Sequence, residues 1–523
     1  MNTRLKKILI IIVGLIAFLF LGVVFINITL ENKIKNQLDH IADNVEIEYK
    51  KIKVNSLKGR VNISKPLISV YGKTTHKKNA IIELENFLVD GFSYWNYYFG
   101  DRIKLENIVF NQPKIIYHHN DSVKYKSYQE NIKNKLNQII KIETIKVNGG
   151  NIEVYNILND SLILKSENVN FNINEFGINQ SNKKKLITYK DFKGNTNSII
   201  YKLNNYDNLY LGHIDFSTHF SKLKEIRLKT KYSKEELSNQ IPVERDHFNL
   251  TIDSLEIKNY DFGFKQDSLF YFNSQRVDFY NPDFKIYRDK LVADDLTYKP
   301  LYSKMLRDLN FNMTLDTIFL NNSTIVYTEK VKPNTKGGRL IFSKLNAEIK
   351  NLSNTYKTDK AITSANIEAV FMNNAKINSQ WYFNVNNMQD EFIYKAEVRK
   401  LNAESMNQFM EPNLKVRLEG EIQQTYFTIN GNDYNSQVDL KIKYDDFDVV
   451  VLKDNGKEKN KFLSSLVNIF VSEDSKGDSD AYRYASKSDI KRSNHKSVFN
   501  YLWLNIRAGL MKAITGDGEK NDK

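Results

Sequence analysis

The sequence has no cysteine. Disulfides, thiolate nucleophiles and cysteine-ligated zinc or iron–sulfur centres are therefore excluded. The absence is compatible with an oxidising compartment and does not establish one. Proline and glycine are scarce, 7 and 21 in 523 residues. Turns must then lean on Asn, Asp and Ser, whose short side chains hydrogen-bond nearby backbone. The sequence also lacks a phosphate-cradling glycine loop, a dinucleotide fingerprint, a zinc-protease helix and a nucleophile elbow. Neither catalysis nor a cofactor is expected.

Strand-forming material is abundant instead. There are 30 Tyr and 31 Phe, and hydrophobic residues make up 41% of the chain. Aromatic rings suit a pleated, half-buried surface, and this apolar share is too high for global disorder. The formal net charge is +14. Its basic residues are interleaved with carboxylates rather than gathered into a stripe, so nucleic acid is not an expected partner. Lys far outnumbers Arg beside frequent Asn, Ile and Tyr. A genome rich in A and T produces that bias by itself; contact with anionic lipid is the functional alternative.

Arg4, Lys6 and Lys7 precede an uncharged stretch from Ile8 to Ile26, and the apolar character continues to Ile28. A helix rising about 1.5 Å per residue over that length crosses the roughly 30 Å hydrocarbon layer. Residues 8–28, with Ile8, Ile16, Phe20 and Ile28 along them, are expected to be a transmembrane signal anchor. The end of the run, Phe25-Ile26-Asn27-Ile28-Thr29, has no small residues at cleavage spacing, which disfavours a cleaved signal peptide. The cationic flank puts residues 1–7 in the cytoplasm and the body in the periplasm, anchored in the inner membrane.

Glu31 to Ala42 has helical spacing, with Ile34, Leu38 and Ile41 on one face. From Val45 onward a period of two dominates, as in Gln437 to Tyr444, where Val438, Leu440, Ile442 and Tyr444 alternate with polar partners. Such alternation gives one dry and one wet face, as in antiparallel sheets. Short helices are expected at about Gln129 to Lys141 and Met406 to Phe409, and a polar linker at 472–494. Val498 to Ile514 reads as an amphipathic helix with Phe499, Leu502, Ile506 and Leu510 on one side.

An internal repeat carries the most information. Segments beginning at Leu105, Ile142, Ile252 and Leu315 share one frame. Each starts with an apolar residue followed by an acid: Glu106, Glu143, Asp253 and Asp316. Apolar residues return at +3 and +5, a turn-forming cluster follows, and apolar residues return at +10 and +12. The change of parity demands a turn or bulge near Asn111-Gln112, Asn148-Gly149, Lys258-Asn259 and Asn321-Asn322. The acids read either as a shared carboxylate site or as solvated strand-entry positions. His213, Asp215 and His219 would share a strand face and could hold a metal, while the adjacent His118 and His119 point opposite ways. Paired acids such as Asp294-Asp295 and Asp445-Asp446 read as strand-end residues. No metal site is expected.

The order of these features resembles the AsmA-like proteins of bacterial envelopes, in the form common in Bacteroidetes. The residues that carry it are the anchor, Val45 to Val70 with Leu57-Lys58-Gly59-Arg60-Val61, and the units at Leu105 and Ile142. Toward the C-terminus, Leu414 to Ile422, Tyr444 to Val449, Phe462 to Asn468 and Ser497 to Trp503 are similar to that family's closing segments. Lys183 to Arg245 has no clear match. The resemblance implies a mainly β fold, in which the transmembrane helix leads into a long curled antiparallel β-sheet with an open groove. A few short helices and the C-terminal amphipathic helix complete it. It also implies a bridge-like role in guiding lipids between membranes and supporting outer-membrane biogenesis. With on the order of 25 strands about 4.8 Å apart, such a body reaches roughly 120 Å.

The expected organisation is a β-rich region over 29–182, a groove region with repeats over 183–400 and a closing β region over 401–471, with 495–523 as the terminal helix and tail. Candidate groove-lining residues are Leu105, Ile108, Phe110, Ile145, Val147, Leu255, Ile257, Ile318 and Leu320. Expected partners are a phospholipid or other envelope lipid, the inner membrane, and a protein of the outer or inner membrane. Two rivals remain: an envelope scaffold of filled β-sandwiches, whose facing sheets fill their own core, and an envelope enzyme with convergent carboxylates or a metal.

Overall fold

In the computed structural model the described residues are 3–39, 41–72, 77–100, 102–120, 139–178, 187–265, 269–453 and 482–514. Among these residues the protein is mainly β, with 27 strands in one sheet, an N-terminal helix Thr3–Leu38 and a C-terminal helix Val498–Ile514. The chain divides into two compact units, residues 1–203 with 209–218, and residues 204–208 with 219–523. The N-terminal helix contains a stretch long and apolar enough to cross a membrane. It runs on unbroken into residues 31–42, the segment expected to continue the anchor as a helix, and ends at Leu38. Ile41 therefore lies beyond it, exposed.

Bulges explain the repeat. Gln112, Gly149, Asn259 and Asn322, the +7 residues of the four copies, all have positive φ, at 48, 64, 50 and 52°. Gly and Asn tolerate this left-handed backbone best. Each such residue kinks the strand and shifts its alternation by one, so the apolar positions before and after it keep to one side. None reverses the chain.

In the N-terminal unit the first two copies lie side by side and parallel. Strand Arg102–Asn111 and its continuation Lys114–His119 pair with Ile139–Asn156, so that Ile108 faces Ile145, Phe110 faces Val147, and Ile115 faces Ile152. At the bulge the Gln112 N–H donates to the Asn148 carbonyl at 2.7 Å, and the Asn151 N–H to the Pro113 carbonyl at 2.7 Å. The second unit contains the same construction. There Leu269–Tyr280 and Asp283–Asp289 pair in parallel with Asn312–Lys330. The Asn281 N–H donates to the Asn321 carbonyl at 2.9 Å and the Thr324 N–H to the Pro282 carbonyl at 2.7 Å.

An asparagine on the next strand completes the bulges at Gly149 and Asn322. Asn170 Oδ1 accepts from the Gly149 N–H at 2.9 Å, and Asn346 Oδ1 accepts from the Asn322 N–H at 2.9 Å. A bulged residue loses its ladder partner, and an unpaired amide is costly, so the asparagines satisfy a donor that the kink strands. The partner of the Leu315 copy is thus a fifth unit, in which Val277, Phe279 and Asn281-Pro282 hold the places of Ile108, Phe110 and Gln112-Pro113. It begins at Ser274 and lacks the apolar–acidic opening, which is why the repeat frame misses it. On either side of each parallel step the adjoining strands pair antiparallel.

Other expectations shift. The helix placed at Gln129 to Lys141 falls mostly outside the described residues, and Ile139–Lys141 already belong to a strand. The segment Phe462 to Asn468 also lies outside them. Within the polar stretch 472–494, Arg483–Lys491 forms a strand paired with Asn435–Val451. Its polar residues alternate too weakly to signal a strand, and backbone pairing supplies what burial does not. The short helix near Met406 spans Asn407–Leu414, preceded by a 3-10 turn at Ala403–Met406. Beyond Lys183, where the resemblance is weakest, strands continue from Ile187 onward.

Candidate functional site: apolar rows across the sheet

Residues paired across a sheet share a face, so register converts the strand pattern into rows. In the N-terminal unit one row runs Val54, Val61, Val89, Ile108, Ile145, Ile173 and Phe192, each opposite the next. Two residues along each strand, a second row on the same face runs Ile52, Ile63, Phe87, Phe110, Val147 and Phe171. Phe171 stands opposite Gly194, which stands opposite Phe216. A Cβ at Gly194 would come within 2.4 Å of the Phe216 ring, so glycine leaves room for that ring to lie 5.7 Å from Phe171. The reverse face carries Asn62, Lys146, Asn172 and Lys193 in the intervening positions, with Leu88 and Val109 among them.

Among the described residues these rows are uncovered over their middle part. Ile52, Ile63 and Phe192 are buried, whereas Val89, Ile108, Phe110, Ile145, Val147, Phe171 and Ile173 are all partly exposed. Among the described residues of this unit no cluster of buried hydrophobics packs over them; the clusters found belong to the second unit.

Rows of the same kind cross the second unit. One passes Ile257, Val277, Ile318 and Ile349, and continues through Ala365 to Trp381, Tyr394, Ile429 and Val438. Its neighbour passes Leu255, Phe279, Leu320 and Ala347, and later Phe427, Leu440 and Ala485. Here the rows are progressively covered. The connection into strand Asn312–Lys330 carries helix Tyr302–Arg307, and Tyr302 lies 5.3 Å from the Trp381 ring. Arg307 holds this connection to Asp390 at 2.9 Å. The C-terminal helix then seals the last strands: Tyr501 and Leu502 join a core with Phe427, Val438, Leu440 and Ile442. Gly509 brings it close, since a Cβ there would sit 3.2 Å from Leu440. The buried stripe of the helix is Val498, Tyr501, Leu502, Asn505, Gly509 and Ala513. Phe499, expected on that side, is 64% exposed; small residues let the backbone approach, and the contact face turns toward them.

Of the candidate lining residues, Ile108, Phe110, Ile145 and Val147 stand together on one face of the first unit, and Leu255, Ile257, Ile318 and Leu320 on one face of the second. Leu105 does not join them. No bulge separates it from Ile108, so alternation turns it to the other face, where it is buried opposite Ile142. The sequence pattern misses the partners from outside the repeat, Val89, Phe171, Ile173 and Phe192; only register reveals them.

The acids of the repeat do not converge. Glu143 pairs with Lys104 at 2.9 Å, Asp253 accepts from Asn281 at 2.8 Å, Asp316 accepts from Tyr356, and Glu106 is exposed. His213 Nε2 lies 3.0 Å from Asp215 and its Nδ1 3.2 Å from Asn197. His219 falls in the bend after strand His213–Ser217, not on the strand. Among the described residues no three metal-ligating side chains gather. Asp294 pairs with Lys496 at 2.7 Å, and His118 with Asp160 at 3.2 Å.

The polar face of the second unit has a charge ladder. Asp278 is fully buried, accepting from Arg276 Nε and Nη2 at 2.8 Å and from Lys258 at 3.1 Å. The Arg276 guanidinium also lies 4.3 Å above the Phe319 ring. The hydrogen bonds from Arg276 outweigh burial and hold the Asp278 carboxyl below its ordinary range, and Lys222 with Lys258 does the same for Glu256. A depressed folded-state pKa gives stability that is present above the ordinary carboxylate range and lost as pH falls through the folded value. Urea unfolding of the full chain should therefore show a midpoint that falls as pH drops below about 5. Asp278→Asn should flatten that fall and cost about 2 kcal/mol at neutral pH; an unchanged acid slope would remove the ladder from the account.

No protein-family model matches the sequence, and no curated protein is significantly similar to it.

Proposed function

We propose that the protein binds lipid acyl chains on the apolar rows of its N-terminal unit and guides them within a bacterial cell envelope, in support of the outer membrane. The observation that carries this reading is the pair of rows through Ile108 and Phe110, which among the described residues are partly exposed from Val89 to Ile173. A soluble protein rarely leaves so continuous an apolar strip facing water without an occupant. Each methylene sheltered from water contributes about 0.8 kcal/mol, and a one-sided strip shelters tails while headgroups stay hydrated. The N-terminal helix supports attachment to a membrane, with the inner membrane as anchor and the periplasm as the body's location. The resemblance to AsmA-like envelope proteins points the same way. No catalytic role is part of the proposal.

Photo-crosslinking in cells tests it. A benzophenone side chain at Phe171 or Ile145 is expected to yield lipid adducts identifiable by mass spectrometry, and one at Lys146 or Lys193, on the reverse face, none. Adducts at neither pair, or equally at both, would sink the proposal. A second reading, an envelope scaffold, draws on the filled core beneath the C-terminal helix; crosslinks from Phe171 to protein alone would favour it.

A further inference from the structure

The short helix Tyr94–Phe99 is built almost wholly of aromatic residues, and most of them do not face the sheet. Trp95 is 74% exposed, Tyr98 72% and Phe99 74%, and nearby Leu57 78%. Trp95 and Phe99 instead pack on each other at 4.6 Å. Ser93 caps the helix by accepting from the Asn96 N–H, so this exposed conformation is held by local bonds.

Its position is fixed by two backbone links. The Phe92 N–H donates to the Gly59 carbonyl at 3.0 Å, and Gly59 has a φ of +56° with Phe92 backbone 2.6 Å from where a Cβ would be. The aromatic helix and the turn Ser56–Lys58 are therefore neighbours. That turn is in turn tied to the N-terminal helix, the Ser56 N–H donating to Asn27 Oδ1 at 2.7 Å. Asn27 is the first strongly polar side chain after Ile8 in the N-terminal helix, four residues before its first acid, Glu31. Leu57 and the aromatic helix thus stand beside the level at which that helix would leave a bilayer.

We infer that Leu57, Trp95, Tyr98 and Phe99 form a membrane-contact surface that inserts into the headgroup–acyl boundary of the bilayer spanned by the N-terminal helix. Trp and Tyr favour that boundary, where an apolar ring meets tails and a polar edge meets water. Lys58 and Arg102 are exposed at the rim, Arg102 donating to the carbonyl of Gly100 at the end of the helix at 3.2 Å, and both suit anionic phosphates. The surface would set the N-terminal unit down on the membrane. The inference rests on the reading of the N-terminal helix as an anchor and is independent of cargo.

The absence of cysteine makes the test direct. Single cysteines replacing Phe99, Tyr98, Phe20 and Leu158 are labelled with a fluorophore in the full chain, reconstituted into phosphatidylethanolamine–phosphatidylglycerol vesicles. Leu158 is 82% exposed in a loop of the same unit and serves as the aqueous reference. Labels at Phe99 and Tyr98 are expected to be about tenfold less quenched by iodide than at Leu158, and to be quenched by lipids carrying a nitroxide near the headgroup. If the Phe20 label lies in the bilayer while those at Phe99 and Tyr98 are as iodide-accessible as Leu158, the anchor stands and the contact surface is wrong. If the Phe20 label is itself in water, the anchor reading fails and takes the surface with it. Protection from iodide without quenching by nitroxide lipid would identify a protein occupant and overturn the inference.

Discussion

Ile145→Asp should cut lipid adduct formation at Phe171 by about a hundredfold while leaving the chain folded. Ile145 stands in the middle of its row, between Ile108 and Ile173, so a carboxylate there interrupts the strip. Excluding about four methylenes at about 0.8 kcal/mol each removes roughly 3 kcal/mol of binding, which is about two orders of magnitude in occupancy. Because the position is partly exposed, the carboxylate can stay hydrated and the cost to folding should be within about 1 kcal/mol. Lys146→Asp, one residue along and on the reverse face, is the control and should change nothing at Phe171. Wild-type adduct levels in a folded Ile145→Asp chain would argue against lipid capture on these rows. A chain that unfolds instead would mean that the row is a filled core, and the scaffold reading would gain.

Tyr501→Ala is expected to have the largest effect on stability. Tyr501 is 1% exposed and sits between the C-terminal helix and the sheet, its ring 6.0 Å from Phe392. Removing a buried aromatic ring costs about 3–5 kcal/mol, through lost transfer energy and the cavity left behind. Trp503 on the same helix reports the local event, because its fluorescence should shift to the red at lower denaturant when the helix leaves the sheet. Tyr501→Phe, which keeps the ring, should recover most of the loss. A Tyr501→Ala chain with an unchanged midpoint would show that the C-terminal helix is not part of the cooperative core. The two substitutions contrast the units: one face is expected to tolerate a charge, the other not to tolerate a cavity.

Local patterning made much of the fold legible. The uncharged run at the N-terminus, the two-residue period and the boundaries of the C-terminal helix are short-range properties, and they appear where the sequence places them. The repeat frame also placed a turn or bulge at four residue pairs, because an apolar pattern that changes parity needs a break in the alternation, and Gln112, Gly149, Asn259 and Asn322, one in each pair, supply it as left-handed residues. Legibility stopped where pairing begins. The fifth unit, around Val277 and Pro282, lacks the acidic opening, so nothing local marks it. Local pattern groups Leu105 with Ile108, both apolar and near one another, and the strand turns them apart. Strand Arg483–Lys491 is too polar to announce itself and exists because the Asn435–Val451 strand offers it a ladder.

The amino-acid sequence by itself determined that this chain has an apolar N-terminal helix, alternating strands, and kinks at fixed places, since each depends on a residue and its near neighbours. Only the tertiary structure decided which strands are adjacent, and hence that Ile108, Ile145 and Ile173 form one row although long stretches of sequence separate them. It alone also decided that the C-terminal helix covers the last strands of the second unit, while among the described residues the middle of the rows in the first unit stays partly exposed. The reason is physical: alternation fixes which way a side chain points, but what it meets depends on the strand or helix that packs there.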